Sequence, residues 1–193
     1  LGEDMCVLLM SQYIGSKDYR RERRQGASRM VSEVFSPPRV TKALSRFPGA
    51  QLLPGFALDL TCNDVDDNQP WDFDRKDKRE KARMMLREQR PLFLIGSPDC
   101  TAFSSWQALN AQQRDPALVH REYVRARLHL DFCCQLYAEQ VEGGRYFVHE
   151  HPETATSWRE PCVQRVMDID SVGVSVAHMC QYGLQAQGEP LKK

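Results

Sequence analysis

The chain lacks an apolar run long enough to cross a bilayer as a helix. Its first ten residues are mildly apolar but lack the charged-then-apolar layout of a secretory leader. It also lacks net charge, since 26 basic residues balance 26 acidic ones. No global field therefore draws it to nucleic acid, and phosphate contacts have to come from a local patch. The densest such patch holds Lys17, Arg20, Arg21, Arg23 and Arg24, a run that equally suits a solvated segment. Pairs of cysteines at zinc-ligand spacing are missing. The seven cysteines are odd in number, and the adjacent Cys133 and Cys134 fit neither a metal knot nor a framework of bridges. That usage points to a reducing compartment inside the cell, nucleus or cytoplasm. Internal repeats are absent too.

The 193 residues are enough for one domain with a core that needs no disulfide or metal. Residues 1–29 read as an arm, and 30–193 as the domain. The first residue is not Met, so the chain is expected to be a piece of something longer. Met30 to Phe35 reads as a first strand closed by Pro37-Pro38, and Arg39 to Phe47 as a short helix. Gly55 to Leu60 is a second strand, followed by the acidic, turn-rich stretch Asn63 to Gln69. Asp77 to Gln89 and Val119 to Gln140 carry helical periodicity. Leu92 to Ile95, Tyr146 to His149 and Val172 to Met179 complete the strands. Strands alternating with helices imply an α/β fold with a doubly wound, mostly parallel sheet.

Two strand ends stand out. Leu92-Phe93-Leu94-Ile95 runs into Gly96-Ser97-Pro98-Asp99-Cys100, so a thiol lies just past the carboxyl end of a buried strand. That is where open α/β sheets bind ligands. Tyr146-Phe147-Val148-His149 runs into Glu150-His151-Pro152, and so offers a carboxylate at a second strand end. Most cysteines are small buried hydrophobes, but a thiol and a carboxylate at two strand ends suggest a single site.

Ser97-Pro98-Asp99-Cys100-Thr101-Ala102-Phe103-Ser104 resembles the Pro-Pro-Cys-x-x-Phe-Ser motif of the DNA cytosine-5 methyltransferases. Tyr146 to Pro152 is similar to that family's strand ending in Glu-Asn-Val or Glu-Asn-Pro. Val176 to Gly183 resembles its later strand leading into Tyr-Gly. The resemblance spans roughly residues 30 to 184. Asp99 stands for the second proline and His151 for the asparagine. Glu33-Val34-Phe35-Ser36-Pro37-Pro38-Arg39 replaces the usual Phe-x-Gly-x-Gly, and no Gln-x-Arg follows Gly183.

The resemblance implies a Rossmann-like fold, S-adenosylmethionine as cofactor, and nucleic acid, DNA first, as partner. Cys100 would be the nucleophile and Glu150 the acid that holds the base edge. Phe35 and Ser36 would line the first strand's turn. Asp59 would accept from ribose hydroxyls, Asp72 from the adenine amino group, Trp71 would pack on the ring, and Ser97 would touch the cofactor. Arg39 would meet the methionine carboxylate. The chain has no room for a separate target-recognition domain and ends before the family's closing strands, so target recognition is expected to need further segments or a partner.

Three other readings stay open. His149 and His151 face one way along a strand and Glu150 the other, so a metal site there would need further ligands such as Cys100 or His178. A zinc-deaminase signature, Pro-Cys-x-x-Cys, is incomplete, because Pro161-Cys162 is followed by Val163-Gln164-Arg165 with no second cysteine. The chain could also be a binding module that keeps the fold without catalysis, or could act on RNA, single strands or free nucleotides.

Overall fold

In the computed structural model, residues 28–47, 49, 51–104, 107, 110, 113–178, 181, 185–186 and 189–190 are described. The basic run at residues 17–24 and the segment around Cys180, Tyr182 and Gly183 lie outside them.

Four strands form one parallel sheet: β1 (Ser28–Val34), β2 (Leu53–Leu58), β3 (Pro91–Gly96) and β4 (Tyr146–His149), in the order β2-β1-β3-β4. Val34 lies opposite Leu58 on one side and Gly96 on the other. The chain is thus an α/β protein with a Rossmann-like, doubly wound sheet, and the order reverses between β1 and β3. All six residues of β3 are buried, as an internal parallel strand requires.

The helices are α1 (Val40–Ala43, continued by a 3-10 turn at Leu44–Arg46), α2 (Lys76–Gln89), α3 (Pro116–Glu142) and α4 (Pro161–Met167). On α3, Asp115 caps the start by accepting from the Ala117 N–H at 2.9 Å, with Pro116 at the first turn. Gly144, at φ 67°, lets the chain turn back into β4. The Gln140 amide donates to the carbonyls of Pro91 and Tyr146, tying the starts of β3 and β4 together.

The alternation of β3 splits the core into two layers. Leu94 packs with Phe56, Leu86, Leu130 and Phe132 on one face; Phe93 and Ile95 pack with Val31, Val40 and Leu44 on the other. Gly96 closes β3 because a Cβ there would collide with the Tyr137 hydroxyl and the Cys133 sulfur.

On α2 the buried stripe is Lys78, Ala82 and Leu86, so a lysine occupies a core position. Its ammonium donates to Asp64 at 2.7 Å and to Asp67 at 2.8 Å, and Lys81 also reaches Asp64. Both ammonium groups lie over the Trp71 ring, 5.1 Å and 5.4 Å from its centroid. The acidic stretch after β2 is therefore fastened to α2 by buried charge.

Two expectations are corrected. Val172 to His178 is not a strand. Val174 and Val176 are 58% and 55% exposed, and β4 remains an edge among the described residues. Alternating valines suit a strand, but pairing needs a neighbouring edge, and this segment leaves α4 through a turn in which the Val172 N–H bonds the Ile169 carbonyl. Conversely, α4 was not anticipated, since seven residues give too short a window for periodicity. Among the described residues that follow, Gln185–Ala186 pairs antiparallel with Glu189–Pro190. Among the described residues no helix is long and apolar enough to cross a membrane.

The lysine–aspartate cluster generates a stability prediction. Burial pushes the Asp64 carboxyl up, but the Lys78 and Lys81 hydrogen bonds and the Asp66 N–H outweigh it and hold the pKa at about 2. A lowered folded-state pKa stabilises above the unfolded value and stops doing so as pH falls through the folded one. Wild-type melting temperature should therefore fall between about pH 4 and pH 2. That acid dependence should be shallower in Asp64→Asn. At neutral pH, Lys78→Met should leave a buried carboxylate without its main partner and cost about 3 kcal/mol or more, read from urea unfolding.

Candidate functional site

The carboxyl ends of β1, β2 and β3 surround a cavity of about 740 Å³. Phe35, Asp59 and Ser97 line it from the three strand ends, Trp71, Asp72 and Phe73 from the loop before α2, and Arg114, Arg125 and His129 from α3 and its approach. It sits at the point where the strand order reverses, the usual ligand position in such sheets.

Phe35 takes φ 55° just after β1, a conformation an aromatic residue rarely adopts. Its ring lies 4.6 Å from Phe73 and 5.2 Å from the His129 imidazole. Strain of this kind costs on the order of 1 kcal/mol and persists only where surroundings impose it. The turn that follows Phe35 is held by Glu33, only 1% exposed in the middle of the sheet. Its Oε1 accepts from the N–H groups of Arg39 and Thr41 at 3.1 Å and 2.8 Å and from the Thr41 hydroxyl at 2.7 Å. Its Oε2 accepts from the Ser36 hydroxyl at 3.0 Å. One carboxylate thus shapes a turn that carries two prolines and no glycine.

Asp59 and Asp99 are twins. Each Oδ1 accepts from the N–H and hydroxyl of the threonine two residues on, Thr61 and Thr101. Both residues line the cavity, as does Asp72. Among the described residues none of the three takes part in an ion pair, whereas the cationic walls are already neutralised. Arg114 forks onto Glu122 at 2.7 Å and 2.9 Å, and Arg125 meets Asp74 at 2.6 Å. His129 also bonds Asp74, and burial pushes its pKa down against that carboxylate. The cavity therefore carries surplus negative charge, with an aromatic wall.

Of the residues singled out in the sequence, Phe35, Asp59, Trp71, Asp72 and Ser97 line this cavity. Trp71 is otherwise a core anchor, 4% exposed. Ser36 does not line it; its hydroxyl is spent on Glu33 and the Pro37 carbonyl. Arg39 is exposed, and its backbone N–H serves Glu33. Cys100 is half-buried between two lining residues, Asp99 and Thr101. Its φ of −90° and ψ of −1° fall in the sparsely populated bridge region, at the head of a 3-10 turn, Thr101–Phe103. Glu150 follows β4, its N–H bonded to the Gly96 carbonyl at 3.2 Å and its side chain exposed. The thiol and the carboxylate thus stand at adjacent strand ends, β3 and β4.

The two histidines flank Glu150 on the opposite side, ring centroids 4.5 Å apart. His149 sits at the end of a chain in which the Cys133 thiol donates to the Tyr137 oxygen at 2.9 Å, and that hydroxyl meets His149 Nδ1 at 3.0 Å. Burial, with the neighbouring His151, pushes the His149 pKa down to about 3, so the imidazole is neutral. Its Nε2 is buried without a partner. Burial pushes the Cys133 thiol up to about 12, which makes it inert as a nucleophile. Both nitrogens of His151 are engaged: Nδ1 with the Ser157 hydroxyl at 2.7 Å, Nε2 with the Pro98 carbonyl at 2.8 Å. Among the described residues no three His, Cys, Asp or Glu side chains converge as metal ligands.

Sequence reasoning missed Glu33, His129 and Asp99 as parts of the site. Only Glu33 carried a signal, being an acidic residue inside the stretch Met30 to Phe35 that reads as a strand. Comparisons with known proteins return no significant match to a family model, a curated protein or a solved structure.

Glu33 generates the prediction here. In Glu33→Gln the amide NH₂ replaces one acceptor and faces donors, so at least one of the four hydrogen bonds is lost and a buried donor is stranded. Stability should drop by about 2–3 kcal/mol, and near-ultraviolet circular dichroism from the Phe35–Phe73 cluster should weaken.

Proposed function

We propose that the chain binds S-adenosylmethionine in the cavity and methylates C5 of cytosine in nucleic acid, DNA first, through a covalent bond to Cys100. One observation carries the reading: the cavity at the strand ends pairs surplus carboxylates with an aromatic wall, and Cys100, not itself a lining residue, sits in the chain between two that are, Asp99 and Thr101. The cofactor, when bound, supplies an electrophilic methyl group on a sulfonium centre. A cationic ligand rich in hydroxyls suits Asp59, Asp72 and Asp99, whose free oxygens accept hydrogen bonds and whose charge is unopposed. Phe35, half-buried, offers an apolar face to a purine, backed by the buried rings of Phe73 and Trp71. The residues fit the group.

Cytosine C5 is a weak nucleophile, and covalent catalysis remedies that. The Cys100 thiolate adds to C6, forming a sulfur–carbon bond and moving electron density to C5. Glu150 holds the base edge and supplies the hydrogen bond at N3 that stabilises the adduct. After methyl transfer the C5 proton passes to solvent water, the hydrogen-bonded proton at N3 returns to Glu150, and the carbon–sulfur bond breaks to regenerate the thiolate. Cys100, in its bridge conformation beyond β3, and Glu150, just beyond the neighbouring strand β4, support this division of roles.

Calorimetry should detect S-adenosylhomocysteine binding that weakens about ten- to a hundredfold in Asp59→Ala, the loss of one charge-assisted hydrogen bond. An intact chain that binds no cofactor overturns the proposal in favour of a binding module.

A 5-fluorocytosine oligonucleotide should form a covalent adduct with the wild type in the presence of cofactor and none with Cys100→Ala. Glu150→Gln should lower turnover by ~10² or more without changing cofactor affinity. Adduct formation that survives Cys100→Ala, or full activity in Glu150→Gln, removes those residues from their roles.

A further inference from the structure

We infer that His151 is a positioning residue that locks the Cys100 loop against the segment carrying Glu150. The inference rests on the reading of Cys100 and Glu150 as the reacting pair, and names what sets their relative placement. The Pro98 carbonyl can only accept, so His151 Nε2 donates to it at 2.8 Å. The neutral imidazole then has a bare Nδ1, which accepts from the Ser157 hydroxyl at 2.7 Å. Burial lowers the His151 pKa and favours that neutral form. Ser157 itself is fully buried at the start of a 3-10 turn, Thr156–Arg159, and its hydroxyl donates to the Nδ1 that the tautomer set by Pro98 leaves bare.

A second tie works from the same segment. The Thr156 hydroxyl donates to the Phe103 carbonyl at 3.2 Å, and the Phe103 N–H bonds back to the Cys100 carbonyl at 2.9 Å. Cys100 is thus bracketed, held two residues before it by His151 and three residues after it by Thr156. Both ties come from the stretch that begins at Glu150. Backbone hydrogen bonding along β3 and β4 fixes the strand ends, but the thiol lies four residues beyond the last residue of β3. Beyond the strands, these two side-chain bonds carry the registration.

The geometry makes a sharp distinction between two substitutions. A glutamine amide nitrogen falls near the position of imidazole Nε2, and an asparagine amide nitrogen near that of Nδ1. His151→Gln can therefore keep the Pro98 bond, whereas His151→Asn keeps only the Ser157 side.

The test is the rate of covalent trapping on a 5-fluorocytosine oligonucleotide with cofactor, alongside melting temperature and S-adenosylhomocysteine affinity. Trapping should slow by about 10- to 100-fold in His151→Asn, as for a displaced reacting group, and by less than about threefold in His151→Gln. Cofactor affinity should be the same in both. Equal trapping rates in the two variants, or rates that follow melting temperature alone, overturn the inference while leaving the nucleophile assignment intact. A wild type that does not trap overturns the underlying reading and this inference with it. Should His151→Asn fail to fold, Thr156→Val cuts the second tie and should slow trapping in the same sense; an unchanged rate in that variant overturns the inference.

Discussion

Everything chemical in this protein depends on the parallel alignment of four strands around the fully buried β3. Parallel pairing puts all four carboxyl ends on one edge, and the reversal of strand order between β1 and β3 opens a crevice there. Asp59, Ser97 and Glu150 follow three different strand ends and are brought to that edge by pairing, while Cys100 lies four residues beyond β3. The sheet is held by apolar burial on both faces, with Gly96 the point where β3 must pass under Tyr137 without a side chain.

Buried charge then shapes what the sheet edge presents. Glu33 anchors the turn after β1 by accepting four hydrogen bonds, and so replaces by side-chain chemistry what glycines do by backbone freedom elsewhere. Lys78, at a core position of α2, pins the acidic stretch that leads to Trp71 and Asp72. Glu33 and Lys78 are each about 1% exposed. Each carries the desolvation cost of a buried charge and offsets it only through full hydrogen bonding. The surplus carboxylates of the cavity are a different matter, because they keep free oxygens for a ligand.

The sheet and two of its long helices were legible because their signals are local. β3 is a short unbroken apolar run, β4 is bounded by Gly143-Gly144 and Pro152, and α3 repeats apolar residues at helical spacing from Val119 to Gln140. The proposed site residues were legible because strand ends can be read once strands are. Ser36 misled because the sequence does not say which way a hydroxyl turns, and a buried carboxylate three residues back claimed it. Val172 to His178 misled because alternation describes a strand's two faces and says nothing of whether an edge is there to receive it.

The sequence by itself determined the α/β alternation, the order of strands along the chain, and the placement of Cys100 and Glu150 just beyond strand ends, since each follows from periodicity and punctuation within a few residues. Only the tertiary structure decided that Asp59, Asp72 and Asp99 share one cavity, that Arg114 and Arg125 are already neutralised, and that His151 reaches across 53 residues of chain to Pro98. The physical reason is that charge balance and hydrogen bonding are satisfied in space. A residue's partner is whatever the fold brings within about 3 Å of it, and sequence separation places no limit on that choice.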